Sequence, residues 1–280
     1  MIRTHHHTMI HTAITIFSPF DKENKEYLAR LAEVRLTNFY KQEFIKEFSI
    51  LTHIDTRYDC GILDLILKIA EKRKIQHQQS STIYVVKGEK LPHAGGGQLQ
   101  LLVKTNLPWV YFNEDGHVIP LRKNSVIEWS KYVLNTDNDA MFAASKLERV
   151  NGIRPEHGKW YLDSILKAGD MRWKMKCNEW GFIQRTNTIR KYYRWFTLSR
   201  TWDPLLFLLQ GAKIKTNDEF GAWFCHHKLI SSNCFYLDGE DLLKGEYILP
   251  ESERRPDLNL FLQKRAQEIT QQFPVEITYI

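Results

Sequence analysis

The sequence predicts an α+β chain: N-terminal helices followed by a mostly antiparallel sheet, with a second mixed α/β part. Three observations carry that expectation. Apolar residues between 28 and 74 recur at helical spacing. The runs between 80 and 121 are short, β-branched and separated by turn chemistry. Beyond residue 150, several strand-like runs precede one long amphipathic helix. The 280 residues, 43% hydrophobic and 26% charged, are enough for one large domain or two modest ones with a sizeable core.

Taken in order, residues 9–18 (MIHTAITIFS) are β-branched and read as a strand. Asp21 reads as a helix N-cap, and Leu28, Leu31, Val34, Leu36, Phe39, Phe44 and Phe48 continue at helical spacing to about residue 50. The polar stretch THIDTRYD interrupts the pattern. A second helix runs from Cys60 to about Lys74, with Ile62, Leu63, Leu65, Ile66, Ile69 and Ala70 on one wide apolar face. STIYVVKG, GQLQLLVKT, PWVYFN and HVIPL read as four strands, and NEDG is good hairpin chemistry between the last two. SVIEWSKYVL and DAMFAASKLERV read as helices.

Residues 151–159 (NGIRPEHGK) hold Gly, Pro and Gly and mark the best boundary, dividing the chain into 1–150 and 151–280. A single continuous domain is the alternative. Past the boundary, NTIRKYYRWFTL reads as a helix, and GAWFCHHKLI, NCFYLDG and EYILP read as strands. DLNLFLQKRAQEITQQF reads as an amphipathic helix capped by Asp257 after Pro256, and VEITYI as a closing strand.

No run approaches the roughly 20 apolar residues that a membrane-spanning helix needs. The N-terminus does not read as a secretory signal. Four cysteines, Cys60, Cys177, Cys225 and Cys234, do not make a disulfide framework in a chain this long. Reduced thiols and a cytoplasmic location are the expectation, with signal-independent secretion left open. Oligomeric state is not legible.

Cys60 has two readings. At a helix N-terminus, unpaired N–H groups and the helix dipole favour a thiolate, which makes a nucleophile. A cysteine followed by leucines is also an ordinary small core residue. The catalytic reading has further parts in order along the chain. His117 opens a strand as general base, and Asn135, Asp137 and Asp139 follow as orienting groups.

The stretch YDCGILDLILKIAEKRKI resembles the Asp-Cys-Gly helix of the bacteriocin-processing cysteine peptidases, which cut double-glycine leader peptides and have a papain-like fold. NLPWVYFNEDGHVIPLRKNSVIEW is similar to their Leu-Pro strand and the histidine strand after it. The resemblance implies Cys60 as nucleophile, His117 as base, Asn135 or Asp137 as the orienting group, a peptide substrate and no cofactor.

The net charge of +6 is local: residues 154–200 carry 11 Lys/Arg against 4 Asp/Glu, interleaved with nine aromatics. Cations on phosphates and rings under bases are how single-stranded nucleic acid is held. Arg172, Lys174, Lys176, Arg190, Lys191, Arg194 and Trp195 are therefore the candidates for nucleic-acid binding by a non-catalytic protein. The same composition describes a core with a solvated face, and a structural or interaction protein with neither activity is the third reading.

Three weaker signals remain. Cys225, His226, His227 and Cys234 have the residue types of a zinc site without its spacing. His5, His6, His7 and His11 form an open histidine cluster. HAGGGQLQ has three glycines and reads as a flexible turn before a strand, with His93 beside it as a competing base; it lacks the Lys-Ser/Thr of a phosphate loop. No metal is expected from these.

Overall fold

The structure is a computed structural model. It describes residues 10–17, 29, 32–33, 36–37, 39–57, 61–89, 95–113, 118–120, 137–144, 177–193, 207–217, 222–225, 234–237 and 245–280.

The strands of the first half are apolar on both faces, so they lie inside a sheet covered on both sides. They are β1 (Ile10–Phe17), β2 (Glu47–Asp55), β3 (Ser80–Gly88) and β4 (Trp109–Asn113). All four run parallel, in the order β3-β2-β1-β4. The sheet continues past β4 with β7 (Cys177–Arg185), β6 (Ala140–Ala144), β8 (Ile214–Asn217) and β11 (Gly245–Tyr247). Past β3 it ends with β12 (Val275–Tyr279), for nine strands in all. A small second sheet joins β5 (Val118–Pro120), β9 (Ala222–Cys225) and β10 (Cys234–Leu237). Parallel and antiparallel pairs are mixed and helices flank the larger sheet, so the chain is α+β, as its sequence implies, but β1–β4 are parallel where the sequence predicts a mostly antiparallel sheet.

Helices connect the parallel strands, because a parallel return requires a crossover. Helical residues between 29 and 39 lead from β1 to β2. α1 (Ile62–His77) leads from β2 to β3, and α2 (Gly95–Leu102) from β3 to β4. The first two connections share one apolar cluster, in which Ala32, Leu36, Phe39, Ile62, Ile66 and Ala70 meet Ile14, Ile50, Val85 and Tyr111. α2 lies on the opposite face. There Leu99 and Val103 join Ala13, Leu51, Tyr84, Val110 and Phe112, together with Leu258, Leu262 and Ile269 of α3 (Pro256–Gln272).

Several sequence expectations change. Residues 47–55 are a strand and not a helix tail with a polar break, because β2 is buried on both faces and shows no alternation. GGGQLQLL is a helix: its Leu/Gln alternation imitates a strand, yet Gln98 and Gln100 are both buried and hydrogen-bonded within the fold. NEDG does not close a hairpin, since β4 and β5 belong to different sheets. Residues 140–144 form a strand rather than the start of a helix. NTIRKYYRWFTL (187–198) begins inside a single 3-10 turn at Thr186–Thr188, and its residues 194–198 lie outside the described residues. Asp257 is not the cap of α3; the N-cap is Arg255, whose guanidinium grips the Asp257 carboxylate at 3.0 and 2.7 Å.

The expected boundary at 151–159 lies outside the described residues. Strands from both sides of it nevertheless share the nine-stranded sheet. Among the described residues, no helix is long and apolar enough to cross a membrane.

Candidate functional site

Strand order decides where a ligand can sit. From β1 the chain steps outward through β2 to β3, with its crossovers on one face. It then returns over the other face to β4, on the far side of β1. In open α/β sheets, ligands bind outside the carboxyl ends of the strands at such a reversal.

Described groups at this edge come mainly from β2. Asp55 ends the strand, and its side chain is 1% exposed. Arg57 grips it in bidentate fashion, donating from Nε to Oδ1 at 2.9 Å and from Nη2 to Oδ2 at 2.6 Å. The Arg57 backbone N–H adds a third bond to Oδ1 at 3.0 Å. The adjacent guanidinium holds the Asp55 carboxyl below the usual carboxylate range, against the opposing effect of burial. The clamp fixes the turn out of β2 and leaves the Arg57 side chain 47% exposed.

One layer inward, His53 Nε2–H donates to Gln98 Oε1 of α2 at 3.1 Å, which requires the Nε2–H tautomer. Burial holds the His53 pKa down at about 4. Gln98 in turn donates to the Phe273 carbonyl at 3.4 Å. β2, α2 and the end of α3 are thereby tied together beneath the edge. The Gly-rich start of α2 follows the carboxyl end of β3, so a helix N-terminus also belongs to this edge.

The sequence candidates fall into two groups. Cys60 lies between Asp55 and α1, and His117 between β4 and β5. Both positions are outside the described residues, as are Asn135, His93, Arg172, Lys174, Lys176, Arg194, Trp195 and the histidines at 5–7. In sequence, Cys60 follows β2 and His117 follows β4, the two strands that flank β1.

Asp137 is not at that edge. It precedes β6, whose Ala140 pairs with Gln184 beside the amino end of β4. Its exposed carboxylate takes the Lys213 ammonium at 2.7 Å, which holds its pKa low. Asp139 accepts the Lys213 backbone N–H at 2.9 Å.

Arg190 and Lys191 are exposed just beyond β7, with the Lys191 ammonium 4.7 Å from the centre of the Tyr192 ring. Cys225 and Cys234 are backbone register partners across β9 and β10. His11 is not part of an open histidine cluster. It is buried in β1 between Glu47 and Ser49. Among the described residues, no three metal-binding side chains converge.

Sequence reasoning missed Asp55 and Arg57 because it placed them in a break between helices. An acidic residue closing a β-branched run just before a helix was the available signal.

No family model and no curated protein matches the chain. One solved structure resembling it is 4-diphosphocytidyl-2C-methyl-D-erythritol synthase from Anaerococcus prevotii DSM 20548. That structure has 14% sequence identity and a TM-score of 0.45, over 93% of this chain and 99% of the other.

Proposed function

We propose that the carboxyl edge of β1–β4 binds a nucleoside-phosphate ligand with a divalent cation and serves group transfer from it. The observation that supports this is the reversal of strand order at β1, with crossovers on opposite faces. The groups suit the chemistry. Glu114 and Asp115 directly follow Asn113 at the end of β4, and adjacent carboxylates hold a hard cation through oxygen. Arg57, oriented by Asp55, supplies a guanidinium for phosphate oxygens. A cation held by Glu114 and Asp115, together with the Arg57 guanidinium, would offset the charge that grows on a departing diphosphate.

The test is calorimetric titration of the full chain with a panel of nucleoside diphosphates, with and without Mg2+ or Mn2+. At least one should bind, and only with metal. Asp115→Asn should weaken it about tenfold or more, or ~1.4 kcal/mol. Failure of the whole panel to bind would remove the reading.

A second reading uses the same edge. Cys60 follows β2 and His117 follows β4 in sequence, and those two strands lie two strand spacings, about 10 Å, apart. This keeps open the leader-peptidase-like hydrolase suggested by the sequence resemblance, with Cys60 as nucleophile and His117 as base. Cys60→Ala separates the two readings. It would abolish hydrolysis of a peptide substrate and leave nucleotide binding intact.

A further inference from the structure

We infer that the opposite, amino edge of the sheet carries a second ligand site, a cleft for a sugar phosphate. Its volume is about 540 Å3, within the range of small-molecule sites. Its walls come from Glu47 at the start of β2, from Lys104, Thr105 and Asn106 ahead of β4, and from Asn187 and Arg190 beyond β7.

The charge arrangement points to the ligand. Lys104 and Arg190 are exposed, and neither forms an ion pair among the described residues. Among the described residues Glu47 makes its ion-pair contact with His11 and not with either cation. His11 Nδ1 lies 3.2 Å from Glu47 Oε2, and Thr105 Oγ1 donates to the same oxygen at 3.1 Å. Those contacts, led by the His11 hydrogen bond, hold the Glu47 carboxyl below its ordinary range, so it stays an acceptor.

Two cations beside a fixed carboxylate and two amide side chains fit a molecule with both phosphate and hydroxyls. The cations take the phosphate, Glu47 accepts a hydroxyl, and Asn106 and Asn187 serve either. The phosphate ester could be that of a free sugar phosphate or one carried on an RNA strand.

The experiment is calorimetric titration of the full chain, at constant ionic strength, with ribose 5-phosphate and separately with a short single-stranded oligoribonucleotide. Ribose 5-phosphate should saturate a single site. The double variant Lys104→Ala/Arg190→Ala should weaken it at least about tenfold, while Lys191→Ala, outside the cleft, changes it less than about twofold. Asp115→Asn should leave it unchanged, which keeps this site distinct from the proposed carboxyl-edge crevice. Oligonucleotide binding lost in the same double variant would identify RNA as a source of the ester. The absence of oligonucleotide binding would identify the free sugar phosphate. No saturable binding of ribose 5-phosphate, or equal affinity in the double variant, overturns the site. So does oligonucleotide binding with none of ribose 5-phosphate.

Discussion

At the scale of single residues, His53 carries the clearest electrical consequence. It is fully buried in β2, and burial, opposed by its bond to Gln98, brings its pKa from 6.5 to about 4. The unfolded chain takes up that proton as pH falls through 6.5, and the folded chain does so only near 4. The unfolded state therefore binds more protons within this window, and stability falls as pH falls, by up to about 3 kcal/mol. Asp55 and Glu47 are displaced downward and lose their contribution at more acid pH, from the ordinary carboxylate range down through their lowered pKa values. The window between pH 7 and 5 thus isolates the histidine. Urea unfolding should show wild-type stability dropping between those values, with about 2 kcal/mol less of a drop in His53→Gln. Equal slopes in the two proteins would show that His53 is not held neutral by burial.

At the scale of elements, Gln79 is a principal tie on the turn between the first helical segment and β2. Gln79 is fully buried at the start of β3. Its amide donates to the Gln42 and Ile45 carbonyls, each at 3.1 Å, and its Oε1 accepts from Arg73 Nε of α1 at 2.8 Å. Beside it, the Tyr40 hydroxyl meets Ser81 Oγ at 2.8 Å, and burial pushes the Tyr40 pKa up to about 12. Gln79→Ala would strand these buried polar groups and should cost roughly 2–3 kcal/mol. The check is the denaturant midpoint at unchanged m-value; a loss under about 0.5 kcal/mol, the size of a surface substitution, would rule out the tie.

The same scale shows what the sequence can disclose. α1, α3, β1, β3, β4 and β12 were legible because apolar runs or amphipathic faces were long enough to show their period. β2 was not, because a strand buried on both faces loses its alternation. α2 was not, because eight residues hold barely two helical turns, and its two buried glutamines alternate with leucines. With β2 and α2 misread, the parallel crossovers vanished and the switch point with them. Cys60 and His117 could still be noticed as reactive residue types. Asp55 and Arg57 have meaning only once the end of β2 is placed.

At the scale of the whole molecule, the last strand closes one edge of the nine-stranded sheet. β12 pairs antiparallel with β3 over Val275–Tyr279, and Ile280 and Ser81 exchange two backbone hydrogen bonds of 2.8 Å. Lys87 and Glu276 meet across the same pair at 2.8 Å, with both side chains well exposed, so that ion pair adds little. What β12 protects is backbone: without it, the nine-residue β3 becomes a long, apolar edge, the kind that templates association. β12 itself is a safer edge, because it is short and mostly exposed, with a glutamate at its second position. Removal of residues 275–280 leaves α3 and both apolar clusters almost intact. It should therefore lower the melting temperature by several degrees rather than unfold the chain, on the scale of about 4 °C per kcal/mol or less for a protein this size. The stronger effect should be concentration-dependent association, seen by light scattering. Restoring a charge on the bared edge with Tyr84→Lys would confound packing, because Tyr84 is buried in the cluster shared with α2. Thr82→Lys, at a half-buried position, is the better control and should suppress association without restoring the lost stability. A truncated chain that stays monomeric at high concentration would mean that β3 is guarded by something other than β12.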